Sequence, residues 1–350
     1  MIKHIVLLGI LLTNLAIAVN IVSVSPTANS IYFGGCADGD VTISSGVTSL
    51  TRDMYYNNLT ISGTGGISFQ NQRVFVCDTL DLTGAPSFAL NGSGTSGNNG
   101  AANGNAGSGG ANTAVGTNIQ GKAGGNGGAG SIAAGAQGSA GTGGNSLTNA
   151  TGGSGGAGGT GSAGAGGNLR APPSVTNFPM RDTSLWFLPS TGSGGAVVTG
   201  GSGSGGGGGG GDGVVSGGGG GGGGSSGQTV YLAANIIKTG GSTPGAVITA
   251  WGGSGGNGGT PASGNAGGGG GGGGGSGGWI IVKYNTKIGA SVSGLISAAQ
   301  GFTGSSGGTG SGTGTNGQNG NTTAAQPGLI QVINYTTGVV TTNITGSVNL

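Results

Sequence analysis

Glutamate is absent from this 350-residue chain, and the acidic set is seven aspartates: Asp38, Asp40, Asp53, Asp78, Asp81, Asp182 and Asp212. Histidine occurs once, as His4, inside what reads as a cleaved leader. A Ser–His–Asp triad and a histidine-bearing zinc site are therefore excluded from the mature sequence. Charged residues make up 5% of the chain, against roughly 25% in ordinary domains. The nine Lys and Arg form no cluster, so nothing supports a nucleic-acid surface. So little charge also argues against common disorder, which depends on high net charge to stay solvated. Beyond the leader no window has helical periodicity, and no apolar run approaches membrane-spanning length.

The leader is "MIKHIVLLGILLTNLAIA", residues 1–18. Lys3 supplies the positive start, Ile5 to Ala18 the apolar run, and Ala16-Ile17-Ala18 the small-residue cleavage site of a signal peptide. Export suits the cysteine count. Cys36 and Cys77 are the only two, and in an oxidising compartment they read as one disulfide, the other reading being two buried thiols. Glycosylation sequons stand at Asn58, Asn91, Asn149, Asn321, Asn334 and Asn343.

What the chain has in excess is glycine, 97 residues of it. Between the glycine blocks one module recurs: an alternating apolar strand, a polar step, a second apolar pair, then glycine. It appears as "RVFVCDTLDLTGAPSFALNGSGTSG" from Arg73, again from Thr229, again from Trp279, and in shortened form from Leu329. Val74/Val76, Leu80/Leu82 and Phe88/Leu90 alternate in the first copy, as strands do. Upstream, Leu59/Ile61, Ile67/Phe69 and Val74/Val76 suit inward pairs of closely spaced strands, the rungs of a β-solenoid or a small sheet. The expected organisation is a β domain over 19–90, followed by a glycine-rich part over 91–350. The second part carries strand modules at 228–250, 278–300 and 328–346.

The glycines fall into triplet frames. Gly152, Gly155, Gly158, Gly161, Gly164 and Gly167 share one, and three residues make one turn of a polyproline-II helix. Glycine loses more conformational freedom on folding than any other residue, so ordering so many requires compensation that side chains cannot supply. Backbone hydrogen bonds between adjacent glycine strands could supply it, provided no Cβ holds the strands apart. The uninterrupted runs Gly205–Gly211, Gly217–Gly224 and Gly267–Gly275 suit strands surrounded by others, with Gly208, Gly220 and Gly270 at their centres. The fold class expected is all-β plus a bundle of packed polyproline-II glycine helices; the other reading is a loose tether.

One segment is unlike its surroundings: "NLRAPPSVTNFPMRDTSLWFLPSTG", residues 168–192. It reads as a plug packed on the bundle or as a binding loop, with Arg170, Phe178, Arg181, Asp182, Trp186 and Phe187 as its contacts. "GTNIQGKA", 116–123, is a partial phosphate-binding loop in which Ala123 stands where the Mg²⁺-binding hydroxyl belongs. Asp38/Asp40 and Asp78/Asp81 could hold calcium but read as turn residues. No catalytic set, metal site or cofactor site is assigned, and the chain is expected to be a non-enzyme.

Glycine blocks in triplet frame, alternating with short variable segments, are similar to the glycine-rich adhesins at the tips of T-even-like phage long tail fibres. "DGDVTISSG", from Asp38, also resembles a segment common in virion and tail-fibre glycine-rich proteins. The resemblance implies a layered polyproline-II bundle whose loops touch a host receptor. Expected partners are a cell-surface receptor or glycan and a fibre or coat protein, in a secreted or virion-surface location. The alternatives are an antifreeze protein of the springtail type, also built from glycine helices, and a purely structural fibre or coat subunit.

Overall fold

In a computed structural model of the chain, the residues described are 33–70, 72–110, 124–131, 203, 205–302, 307–320, 325, 327–343 and 346–350. The leader, the frame from Gly152 to Gly167, the segment 116–123 and the segment 168–192 lie outside them. Every element among the described residues is a β-strand: β1 (Gly39–Ile43), β2 (Val47–Ser49), β3 (Met54–Ser62), β4 (Gly66–Ser68), β5 (Arg73–Gly84), β6 (Leu90–Asn91), β7 (Thr229–Lys238), β8 (Ile248–Thr249), β9 (Trp279–Ile288), β10 (Ile296–Ser297), β11 (Leu329–Asn334), β12 (Val339–Asn343) and β13 (Ser347–Val348).

Successive strands alternate between two sheets up to β11. One sheet has the order β1-β3-β5-β7-β9-β11-β12, the other β13-β10-β8-β6-β4-β2. All pairings are parallel except the last of each sheet, β11 with β12 and β10 with β13, which run antiparallel. Both sheets run without a break across residue 90: β5 pairs β7 in parallel, Val74 opposite Leu232 and Leu80 opposite Ile237.

The core is the inner face of this stack. Leu59, Ile61, Ile67, Phe69, Val74, Val76, Leu80 and Leu82 are fully buried, and their counterparts Leu232, Ile237, Ile280 and Val282 stand in the same cluster. At roughly 1.5–3 kcal/mol for each fully buried large aliphatic side chain, this cluster is the main apolar stabilisation of the strand stack. The opposite face of the seven-stranded sheet carries a second cluster, Phe33, Phe75, Tyr231, Ala233, Trp279 and Ile281. There Tyr55 stacks on Phe75 at 5.0 Å. Cys36 and Cys77 form a disulfide with Cα atoms 5.8 Å apart, tying the entry of β1 to β5.

Phe88 corrects the alternation expected of the first module. Rather than turning inward beside Leu90, it sits at the corner before β6 with φ +60° and is 40% exposed. The equivalent corners in the next two rungs, Ala246 and Gly294, have φ +53° and +61°. The three are linked by Phe88 N–H to Ala246 O and Ala246 N–H to Gly294 O, both 2.7 Å. The corner demands a left-handed backbone, which costs an L-residue about 1–2 kcal/mol, and that demand overrides the strand pattern.

Between β6 and β7, β8 and β9, and β10 and β11, the glycine segments leave the six-stranded sheet and return to the seven-stranded one. The segment 217–225 is central. Its N–H groups address three neighbours in rotation. Gly218, Gly221 and Gly224 donate to Gly267, Gly270 and Gly273; Gly219, Gly222 and Ser225 to Ala101, Asn98 and Thr95; Gly217, Gly220 and Gly223 to Ser131, Gly128 and Gly125. Its carbonyls serve three others, accepting from Gly203, Gly206 and Gly209, from Gly253, Gly256 and Gly259, and from Gly107 and Gly110, with all these bonds 2.7–3.0 Å. Three donor and three acceptor neighbours make six, so no side of the segment faces open space.

That arrangement sets the composition. A Cβ at Gly220 would collide with the carbonyl of Gly206, one at Gly208 with that of Ala129, and one at Gly222 with that of Ser108. Gly270 donates to Gly207 O and accepts from Gly221 N–H, at 2.8 and 2.9 Å. At the margins asparagine stands in for a missing segment. Asn316 Oδ1 accepts from Gly310 N–H at 2.9 Å, and Asn319 Oδ1 from Gly307 N–H at 3.1 Å, again three residues apart.

Gly220→Ala should lower stability by about 3 kcal/mol or more, because the obstacle is backbone that cannot move aside. Gly241→Ala is the control: its Cβ would meet nothing within 4 Å, and its melting curve should match the parent. Reducing the disulfide, which closes a separation of 41 residues, should cost about 4 kcal/mol by loop entropy, read as a fall in melting temperature with dithiothreitol.

Candidate attachment surface

The glycine segments turn at the end remote from the sheets. The described turns there are 101–105, 211–216, 260–266 and 309–314, and the last three are fastened in series. Asp212 is the fastening of the second. Its Oδ1 accepts from Val214 and Val215 N–H at 3.0 and 2.8 Å, and its Oδ2 accepts from Asn265 N–H in the third turn at 2.7 Å. Asn265 Oδ1 then accepts from Thr313 N–H in the fourth turn at 3.0 Å. Ser311 Oγ donates back to Ser263 O at 2.8 Å, and Thr309 N–H donates to Thr260 Oγ1 at 3.1 Å.

The local sequences explain these turns. Gly104, Gly213, Gly264 and Gly312 all have positive φ, between +56° and +96°, which glycine adopts without strain. Asp212 and Asn265 are short acceptors of the kind that bond nearby turn amides. The signal for Asp212 was legible: "GDGVVS" interrupts two oligoglycine runs with an Asp-Gly pair. That Asp212 reaches across to Asn265 was not legible, because 53 residues separate them.

Among the described residues of these turns charge is nearly absent. Asp212 is the one charged side chain there. The amide of Asn265, followed by those of Val215 and Val214, holds its carboxyl down at about 2. Val214 is 83% exposed at the tip of its turn. The surface therefore presents hydroxyl, carboxamide and backbone groups around one protruding valine.

Of the four aspartates considered as calcium ligands, Asp78 accepts, among the described residues, only from its neighbour Thr79, at 3.3 Å, and the other three have partners across the strands. Asp38 pairs with Arg52 and accepts from Tyr55 N–H at 2.7 Å; its carboxyl is held low, first by Arg52. Asp40 accepts from Asn57 and Asn58 side chains at 2.7 and 3.0 Å. Asp81 accepts from Thr83 and pairs with Lys238 at 3.0 Å. Among the described residues no three His, Cys, Asp or Glu side chains gather as metal ligands, and no helix is long and apolar enough to cross a membrane. Arg170, Phe178, Arg181, Asp182, Trp186 and Phe187 lie outside the described residues, as do Gly155, Gly158 and Gly161.

Because the folded carboxyl of Asp212 titrates at about 2 and a free Asp at about 3.9, its contribution is complete above pH 4 and fades as pH falls towards 2. The melting-temperature gap between the parent and Asp212→Asn should accordingly be constant from pH 7 to 4 and close between 4 and 2. A gap that widens on acidification would contradict the assignment. Compared with known proteins, the chain matches no family model, no curated protein and no solved structure.

Proposed function

We propose that this chain is a non-enzymatic attachment protein of a virion or cell surface, in which a β-solenoid carries a bundle of polyproline-II glycine helices whose terminal turns and inserted loop meet a host receptor or glycan. The observation that carries the reading is the fastening of turn to turn through Asp212, Asn265 and Thr313 on a scaffold whose amides are satisfied laterally. Recognition groups gain affinity when held in place before binding, since less entropy is lost on association.

Several features support the components. A three-residue period of hydrogen bonding equals the polyproline-II turn. Strands that alternate between two mostly parallel sheets in successive rungs suit a solenoid. A leader at 1–18 and the Cys36–Cys77 bridge suit an exported location. The outer strands β1 and β2 end their sheets among the described residues, and Val47 on β2 is 68% exposed. A fibre or coat protein could add a strand at these edges.

Ice binding is supported less. One in-register row of small polar residues crosses the six-stranded sheet, Ser49, Ser68, Asn91, Thr249, Ser297 and Ser347. Thr249 is fully buried and Ser297 is 8% exposed, so the row offers no continuous open face.

Deleting residues 170–189 should abolish attachment of the full chain to susceptible cells while leaving its melting temperature within about 2 °C, the outcome expected if the segment serves recognition rather than folding. Attachment that survives this deletion and also survives Val214→Asp would remove the loops and turns from the receptor interface. A chain that attaches to no surface would leave the structural-subunit alternative in its place.

A further inference from the structure

The segment "WGGSGGNGGT", 251–260, carries a side chain only at every third residue, and the packing explains why. A Cβ at Gly252, Gly255 or Gly258 would collide with the carbonyls of Gly275, Gly272 and Gly269. One at Gly253, Gly256 or Gly259 would collide with those of Thr95, Asn98 and Ala101. Only the third position of each turn is free, and it holds Trp251, Ser254, Asn257 and Thr260.

Neighbouring segments extend this face in register. Trp251 N–H donates to Ser93 Oγ at 3.1 Å and Asn257 N–H to Asn99 Oδ1 at 2.8 Å on one side. On the other, Gly252 and Gly255 donate to the carbonyls of Ala299 and Phe302 at 2.9 and 2.8 Å. Phe302 thus stands one segment over and one turn further than Trp251, roughly 9 Å along the axis at about 3.1 Å per residue, and it is 73% exposed.

The indole of Trp251 is fixed from two sides. Its Nε1 donates to Ser297 Oγ at 2.8 Å, and the ring of Phe88 meets it edge-to-face at 4.7 Å. Phe88 keeps this place in a left-handed conformation that glycine, present at the equivalent Gly294, adopts freely. At 40% exposure the ring is partly covered, in part by the Trp251 indole, and keeps an open face to solvent. Strain retained at an exposed aromatic is the kind that accompanies a binding role.

We infer that Phe88, Trp251 and Phe302, with Ser254 at the level of Phe302 and Asn257 one turn beyond it, form a binding site for a neutral oligosaccharide. Aromatic faces carry the negative end of the ring quadrupole and receive the polarised C–H groups of a pyranose face. The hydroxyl and carboxamide side chains along the same face match sugar hydroxyls as donors and acceptors. None of these positions bears a charge, which disfavours an anionic ligand, and the backbone beneath is held by hydrogen bonds rather than by movable side chains. This rests on the attachment reading and gives it a ligand class, at a surface separate from the described terminal turns.

The test is binding of the full chain to immobilised neutral oligosaccharides of the chito, cello, manno and galacto series, with sialylated and sulfated glycans alongside, followed by titration of the best ligand in solution. Trp251→Ala and Phe302→Ala should each weaken binding at least tenfold, and Trp251→Phe should retain part of it. Phe88→Gly, which relieves the left-handed backbone as it removes the ring from Trp251, should weaken binding in excess of any loss of folded protein, measured by titration well below the melting temperature. Affinity unchanged in Trp251→Ala, or capture of charged glycans alone, would overturn the site. A chain that attaches to cells but ignores every neutral glycan would overturn it and leave the attachment reading standing. A chain that attaches to nothing would remove both.

Discussion

The lateral backbone hydrogen bond between glycine segments is the interaction on which the rest of this molecule depends. Ordering glycine is entropically expensive, and a single amide–carbonyl bond contributes only about 0.5–1.5 kcal/mol net. The larger constraint is the penalty for leaving a buried amide unpaired, about 1–3 kcal/mol. In the segment 217–225 every amide and carbonyl from Gly218 to Gly223 has a partner in one of six neighbours. Removing one segment would orphan a row of groups on each of its neighbours, so the layers form or fail together.

Such a layer has no side-chain core of its own, and its position comes from the strand stack beside it. The strands set the vertical spacing, since the segments 92–100, 217–228, 250–259, 267–278 and 298–302 each run directly into or out of a strand of the two mostly parallel sheets. Val230, Ile280 and Ile330 lie one above another in β7, β9 and β11, and the same order of rungs places Gly221 beside Gly270. Apolar burial specifies the register, and hydrogen bonding propagates it outward to turns that contain no apolar core.

The terminal turns and the aromatic face inherit this rigidity in different ways. At the turns, short polar side chains bond across from one turn to the next, so Asp212, Asn265 and Thr313 act as fasteners. On the aromatic face, steric exclusion decides: two of three positions per turn are closed by carbonyls, and the third must project whatever the sequence places there. A regularly spaced array of side chains follows from the backbone packing alone.

The sequence by itself determined the all-β class, the repeated strand modules and the buried alternation of Leu59, Ile61, Val74 and Val76, because period-two hydrophobicity is a local property. It also showed that every carboxylate side chain is an aspartate, since a residue type that does not occur needs no structure to interpret. The pairing of Cys36 with Cys77 was open between a bridge and two thiols until the strands brought the Cα atoms to 5.8 Å. Only the tertiary structure decided that strands before and after residue 90 share both sheets, that Phe88 turns outward at a left-handed corner, and that Asp212 reaches Asn265. Each of these depends on contacts across long sequence separations, and oligoglycine carries no local pattern to say which segment lies beside which. That choice belongs to the strands, whose side chains alone distinguish one rung from the next.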